Sequence, residues 1–274
     1  MCAPECLEAV CREINRRHLL KGALAGGAAI AAAAAPRPAA ARRTPVIANR
    51  VVDLTHTITP DFPTFGGGRQ LEVETLTSLE KDGYNSNRWM LYEHTGTHID
   101  APLHFSAKGA SADRIPADRL VAPLVVIDIR QRAQTDADAE LTPDDVKAWI
   151  EANGPIPQAA CVAMNSGWDR HVASAKFRNA DGQGVMHFPG FHGEAAKMLL
   201  EEADIVGIAT DTLSLDRGQS KDFATHLTVL PAGKWGLENV ANLSSVPVKG
   251  ATIVAGAPKL ENATGGPARV MALM

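Results

Sequence analysis

The sequence predicts a single α+β domain, rich in β-strands, with a few helices packed on the sheet. Segments of alternating or β-branched apolar residues recur along the chain, whereas only two segments show clear helical periodicity. If a leader at positions 1–41 is set aside, the rest of the chain shows no internal repeat and no linker. A chain of roughly 230 residues buries one full core, so we expect one domain over residues 42–274.

The predicted strands differ in the faces that they bury. The first alternates apolar and polar residues, as a strand with one buried face does. The segment VAPLVVIDI is apolar except for Asp128, which is typical of a strand buried on both faces. Proline and glycine place a loop at residues 60–68. The predicted strands are 51–58, 71–77, 87–97, 121–129, 160–164, 205–212, 251–257 and 268–274.

Two helices are predicted, the first from its caps and periodicity and the second from its apolar face. Thr142 can cap the first helix, Pro143 suits its first position, and Gly154 ends it. Apolar residues at i, i+3 and i+4 give this helix one buried stripe, formed by Val146, Trp149 and Ile150. The second helix covers residues 193–202 and has Ala196, Leu199 and Leu200 on one face.

The N-terminal segment, positions 1–41, predicts an export signal. The paired Arg16 and Arg17 precede an uncharged run, residues 22–35, that consists mostly of Ala and Gly. A basic stretch before a short apolar run is typical of a secretory leader, and paired arginines resemble the twin-arginine type. A membrane anchor needs about 20 well-apolar residues. We therefore expect cleavage after position 41, with 33–35 as the alternative, and a periplasmic protein without a membrane segment after removal of the signal.

Charge and cysteine content restrict the function further. The formal net charge is −4, and the acidic excess is larger still when segment 1–41 is left out. This excess argues against a nucleic-acid partner, which would favour a basic surface. Cys161 is the only cysteine after position 41, so no internal disulfide can form there. Stability must then come from the core, from oligomerisation or from a metal.

Residues 93–105, EHTGTHIDAPLHF, concentrate metal-binding side chains. On a helix, Asp100 would point about 200° away from His98, and Gly96 and Pro102 also oppose a helix. In an extended chain every even-numbered side chain points the same way, which would bring together His94, His98, Asp100 and His104. Imidazoles and a carboxylate that converge suit Zn²⁺, Mn²⁺ or Fe²⁺. The alternative is an exposed polar strand face.

The string HTGTHIDAPLHF resembles the His-x-Gly-Thr-His-x-Asp-x-Pro-x-His signature of the cyclase superfamily, which includes bacterial kynurenine formamidases and isatin hydrolases. The C-terminal segment GGPARV is more similar to the isatin hydrolases. The resemblance covers most of residues 51–274 and implies the swivelling β/β/α fold of that family. Its further matches are 63–68, 165–168, 187–190 and 207–216.

The resemblance also implies the ligands of the metal. His94, His98 and Asp100 would bind one ion. In members of the family that hold two ions, Asp100 would bridge to the second ion. His226 and Glu238 have the spacing that completes the second site, whereas members similar to isatin hydrolase can work with one ion. The expected cofactor is Zn²⁺ or Mn²⁺, one or two ions per subunit. The alternatives are an exposed carboxylate for Glu238 and a substrate or outer contact for His226.

Other side chains are candidates for catalysis and substrate binding. The resemblance implies that His104 is the general acid/base, with a role as a further metal ligand as the alternative. An imidazole can accept and return a proton near neutral pH. Three aromatic residues could form the wall of a pocket for an aromatic substrate, or be ordinary core residues: Phe65, Trp89 and Trp168.

The function that the resemblance implies is metal-dependent hydrolysis of a carboxamide C–N bond. The substrate would be a small aryl formamide or a cyclic amide such as isatin, and the protein would be a homodimer or homotetramer. Two alternatives remain open at this point. One is cyclisation or dehydration by the same metal, and the other is a non-catalytic periplasmic protein that binds a metal or a small aromatic acid.

Overall fold

The computed structural model describes residues 48–274, in which thirteen strands and five α-helices follow one another. The strands are β1 Val51–Asp53, β2 Leu71–Thr77, β3 Ser86–Leu91, β4 His98–Asp100, β5 Val121–Asp128, β6 Glu140–Leu141, β7 Ala160–Asn165, β8 Gly190–Phe191, β9 Ile205–Thr210, β10 Trp235–Glu238, β11 Ala251–Gly256, β12 Gly265–Pro267 and β13 Arg269–Leu273. The helices are α1 Leu79–Asp82, α2 Arg130–Thr135, α3 Pro143–Asn153, α4 Gly193–Glu202 and α5 Ala224–Val229.

Nine of these strands form one mixed sheet in the order β1-β13-β11-β5-β7-β9-β10-β4-β12. The central strands β5, β7, β9 and β10 are parallel, and the strands on either side pair antiparallel. All residues of β7 and β9 are buried, because parallel strands are covered on both faces. This confirms the predicted α+β domain.

Two apolar cores lie on opposite faces of the sheet. Alternate residues of β5 divide between them, with Val125 in one and Leu124 in the other. Helices α3 and α4 cover the face that contains Val125, and the indole of Trp149 on α3 donates a hydrogen bond to the Val126 carbonyl at 3.0 Å. This hydrogen bond anchors α3 to β5.

Both predicted helices are confirmed with their caps. Thr142 and Asp145 form a reciprocal capping box at the start of α3, and Gly154 ends the helix with a φ of 85°. Helix α4 has the predicted bounds, and the His192 side chain caps it. Local sequence signals suffice here because the caps lie within a few residues of the helices that they end.

The strand predictions fail where pairing is short or the chain turns. The first strand ends at Asp53, and Thr55 makes only an isolated bridge. The predicted strand over 87–97 ends at Leu91, because a turn with Gly96 at a φ of 72° follows. Helix α5 and strands β6, β8, β10 and β12 were not predicted, since such short segments show no clear period.

The predicted export signal and its cleavage point lie outside the described residues, as do Cys2, Cys6 and Cys11. Among residues 48–274, no helix is long and apolar enough to cross a membrane. Cys161 is a free thiol in β7, and burial raises its pKa. Because the thiolate is the reactive form, this cysteine belongs to the core.

Candidate metal centre

Strand β4 supplies two of the predicted ligands. His98 and Asp100 lie two residues apart in an extended segment, so both point to one face, while Ile99 points into the core. Strand β10 pairs antiparallel with β4 and places Glu238 directly opposite His98. The register of this strand pair therefore brings a distant carboxylate to the motif.

His94 and His104 reach the same place by turns and not by an extended chain. The turn at Gly96 folds the His94 ring back until its Nδ1 lies 2.7 Å from Asp100 Oδ1. A 3₁₀ turn over Pro102–His104 stacks the His104 ring on His94, with 3.9 Å between the ring centroids. The prediction of one extended face over all four side chains is therefore wrong outside residues 98–100, although the four side chains do converge.

His226 comes from helix α5. Its Nε2 lies 3.1 Å from Glu238 Oε1 and 3.5 Å from Asp100 Oδ2. His98 Nε2 lies 3.3 Å from both Asp100 Oδ1 and Glu238 Oε2. These four side chains are buried. The structure therefore assembles His94, His98, Asp100, His226 and Glu238 around one small space.

The donor atoms of this cluster fit a divalent cation. His98 Nδ1 lies 2.9 Å from the Gly96 carbonyl oxygen, which fixes the ring and directs its Nε2 into the cluster. His98 Nε2 and Asp100 Oδ2 are buried without a hydrogen-bond partner. Such orphaned atoms are costly unless something binds them, and imidazole nitrogen with carboxylate oxygen is the donor set of Zn²⁺ and Mn²⁺.

The electrostatics of the cluster also call for positive charge. Burial lowers the pKa of His98, but the nearby carboxylates of Asp100 and Glu238 outweigh it and raise the pKa to about 10. Burial also lowers the pKa of His226, and the nearby carboxylates of Asp100, Asp216 and Glu238 outweigh it and raise that pKa well above its ordinary value. Protons are held where two buried carboxylates meet, and a cation would supply the same charge.

A cavity of about 380 Å³ opens above the cluster. Four aromatic side chains contribute to its walls, and besides the cluster itself its polar groups include the Gln70 amide and Ser214. Within residues 48–274 no lysine or arginine lines it. The aromatic residues that line it are Phe65, Tyr92, Phe105 and Phe223. The cavity therefore suits an apolar, uncharged ligand of small size.

The structure brings one of the three predicted aromatic residues to this cavity. Phe65, from the loop before β2, lines it. Trp89 lies on β3 with 49% of its surface exposed and does not line the cavity. Trp168 is buried in a separate cluster, where its indole donates to the Phe177 carbonyl at 2.9 Å.

Several site residues had weak sequence signals. Phe105 follows the signature directly, and Phe223 precedes His226 by three residues, so proximity to the ligands could have indicated both. Thr264 is 170 residues from His94, yet its Oγ1 lies 2.9 Å from His94 Nε2 and donates to the Glu93 carboxylate. No local pattern could have predicted that contact.

This fold, with a buried imidazole–carboxylate cluster under an apolar cavity, defines the class: a metal-dependent hydrolase of small molecules. The sequence model of the Cyclase family, described as "Putative cyclase", matches residues 52–217. The chain belongs to this family.

Known proteins narrow the chemistry. The chain is 34% identical to an isatin hydrolase of Roseibium aggregatum over 82% of this chain and 91% of that protein. It is 24% identical to a kynurenine formamidase of Salinibacter ruber, over 72% and 84%. A crystal structure of an isatin hydrolase bound to the product analogue thioisatinate superimposes with a TM-score of 0.77 at 33% identity, over 82% and 92%. The chain is thus a metal-dependent hydrolase of carboxamide C–N bonds.

Proposed function

We propose that the protein hydrolyses a small, planar, uncharged cyclic amide of the isatin kind. The observation that carries this proposal is the cavity of about 380 Å³, to which four aromatic side chains contribute and which, among the described residues, no lysine or arginine lines. A formamide of kynurenine bears an ammonium and a carboxylate group, and burying these unpaired would be costly. The similarity to isatin hydrolases supports the same choice.

We propose Zn²⁺ or Mn²⁺ as the cofactor, with two ions per subunit. His94, His98 and Asp100 would hold one ion, and His226 and Glu238 would hold the other, with Asp100 shared. The buried position of Glu238 opposite His98 supports the second site. A divalent cation supplies Lewis-acid chemistry by polarising a carbonyl oxygen and lowering the pKa of water.

The chain's own part in the reaction is the movement of one proton. Burial is the main cause that lowers the pKa of His104 to about 4, so its imidazole is neutral near neutral pH. His104 accepts a proton from the attacking water and returns it to the amide nitrogen as the C–N bond breaks. Stacking on His94 holds the His104 ring at the edge of the cluster.

A substrate panel tests this proposal. With Zn²⁺- or Mn²⁺-loaded protein we expect kcat/KM for isatin to exceed that for N-formylkynurenine by at least about 100-fold, because no lysine or arginine among the described lining residues can pair with the carboxylate of the amino acid. Phe223→Ala should lower kcat/KM for isatin by roughly tenfold through lost apolar contact. Leu227→Ala, an exposed position on the same helix, is the matched control.

Three results of that panel would contradict the proposal. The first is a preference for N-formylkynurenine. The second is ring closure of the amino acid product without hydrolysis, which would favour a cyclase. The third is tight binding without turnover, which would favour a binding protein.

We also propose that the protein is a homodimer or homotetramer in which a second copy covers the β2–β3 hairpin. The hairpin is a separate two-stranded sheet, and most residues of both its strands are exposed. Such a sheet is marginal in water without a packing partner. Its exposed apolar residues include Val73, Leu76, Trp89 and Met90. The hairpin begins next to Gln70 and is followed by Tyr92, and both line the cavity.

Light scattering coupled to size exclusion tests this assembly. We expect the wild-type protein to have a mass of at least twice that of one chain, and Met90→Asp, at a site 60% exposed in one chain, to shift it towards the monomer. Val248→Asp, at an exposed position elsewhere, is the control. A monomeric wild-type protein would rule out the proposed assembly.

A further inference from the structure

Asp216 contacts the side of the His226 ring that faces away from Asp100 and Glu238, and it is not one of the proposed metal ligands. Its carboxylate is buried and does not line the cavity, and within residues 48–274 its ion-pair partner is His226. It accepts hydrogen bonds from the Thr225 N–H at 2.7 Å and the His226 N–H at 3.3 Å, and His226 Nδ1 lies 2.5 Å away. Every one of these contacts is with helix α5 or its His226 ring.

The two nitrogens of the His226 ring face different groups. Because an ionised carboxylate is only an acceptor, Nδ1 carries a proton and donates it to Asp216. His226 Nε2 faces the carboxylates of Glu238 and Asp100, at 3.1 and 3.5 Å, which are the groups that would share a cation with it. His98 Nδ1 is instead held by the neutral carbonyl of Gly96. His226 is therefore oriented by a full negative charge, and His98 by a neutral dipole.

We propose that Asp216 is the positioning residue of His226: its carboxylate fixes the tautomer and the orientation of the ring, so that Nε2 is available as a metal ligand. A carboxylate that accepts from an imidazole also makes the ring a stronger donor to a cation. The role assigned to Nε2, including its lack of a proton, rests on the proposed two-ion function, whereas the contact between Asp216 and Nδ1 depends only on this chain.

The distribution of donors explains why a carboxylate is needed at this position. One oxygen of Asp216 faces the Thr225 N–H, and the other faces both the main-chain N–H and the ring Nδ1 of His226. An asparagine there would direct its NH₂ group at one of these donors. If the NH₂ faces Nδ1, the ring must accept there and carry its proton on Nε2, which blocks ligation.

Full-length protein labelled with ¹⁵N-histidine and loaded with Zn²⁺ tests the proposal by long-range ¹H–¹⁵N correlation spectra. In the wild type we expect Nδ1 of His226 to be protonated and Nε2 to lack a proton. Asp216→Asn should change this pattern and weaken the binding of one Zn²⁺ per chain by about 10- to 100-fold, measured by titration calorimetry. Asp216→Glu, which keeps a carboxylate, should restore part of that affinity.

Asp211→Asn is the matched control, because Asp211 is also a buried aspartate of the same segment. It accepts hydrogen bonds from the Ser166 and Trp168 main-chain N–H groups and the Ser166 hydroxyl, and from none of the ligands. Asp211→Asn should leave the His226 spectrum and the Zn²⁺ affinity unchanged. If it changes either one, the effect of Asp216→Asn would reflect the burial of an amide in general and not the loss of the contact with His226.

A proton on Nε2 of His226 in the Zn²⁺-loaded wild-type protein would overturn the proposal, whether or not the variant folds. Unchanged Zn²⁺ affinity in a folded Asp216→Asn variant would overturn it too. If the wild type binds one ion only but Asp216→Asn still moves the proton from Nδ1 to Nε2, the positioning role stands and the two-ion assignment fails.

Discussion

We expect the His98→Ala substitution to abolish both metal binding and hydrolysis. His98 is 1% exposed, and its Nε2 lies between Asp100 and Glu238, so no neighbouring side chain can replace it as a donor. Loss of the Lewis acid removes several kcal/mol of transition-state stabilisation, which corresponds to a fall in kcat/KM of roughly 10³- to 10⁴-fold. Elemental analysis and isatin turnover measured on the same preparation check both parts.

The control for this variant is His171→Ala, which removes an imidazole away from the cluster and should leave metal content and turnover unchanged. Circular dichroism is the measurement that checks whether the His98→Ala variant is folded. Hydrolysis at the wild-type rate by metal-free His98→Ala protein would refute a metal-dependent mechanism at this site.

His104→Ala should separate the proton-transfer role from the ligand role. Because His104 is placed at the edge of the cluster by stacking on His94, we expect the variant to retain its metal. We expect kcat to fall by about 10²- to 10⁴-fold, which is the usual contribution of a general acid/base. Metal content, kcat and KM for isatin are the quantities to measure.

The opposite result for His104→Ala is also informative. Loss of metal together with activity would make His104 a ligand, since its ring nitrogen lies in one possible donor group with His94 and Asp100. Added imidazole should restore part of kcat if proton transfer is the missing function, and it should have no such effect if a protein ligand has been lost.

Local signals in the sequence were enough to predict the elements whose ends are determined by residues within or next to the element. Helix α3 has its capping box at Thr142 and Asp145 and its end at Gly154, all within the short stretch 142–154. The uniformly apolar β5 and β7 were recognisable for a related reason, since burial on both faces leaves no polar alternation. The spacing of His98 and Asp100 likewise placed both on one face of β4.

The residues that line the cavity show that an aromatic residue type does not by itself predict a place in the pocket. Trp168 and Phe223 are both aromatic, but Trp168 packs in the core with Phe177 while Phe223 faces the cavity. Burial of either side chain gains a similar apolar free energy. The chain around Trp168 gives no sign of which surface will cover it, so the pocket could not be deduced from aromatic content.

The chemistry of the donor atoms and the short-range geometry of the motif follow from the order of residues, because a strand repeats every two residues wherever it forms. Bringing Glu238 and His226 to that motif required two long-range events, the antiparallel register of β10 on β4 and the seating of α5 on the buried Asp216. Contacts between residues so far apart in the chain depend on packing and pairing energies summed over the whole sheet. A local sequence pattern therefore cannot predict them.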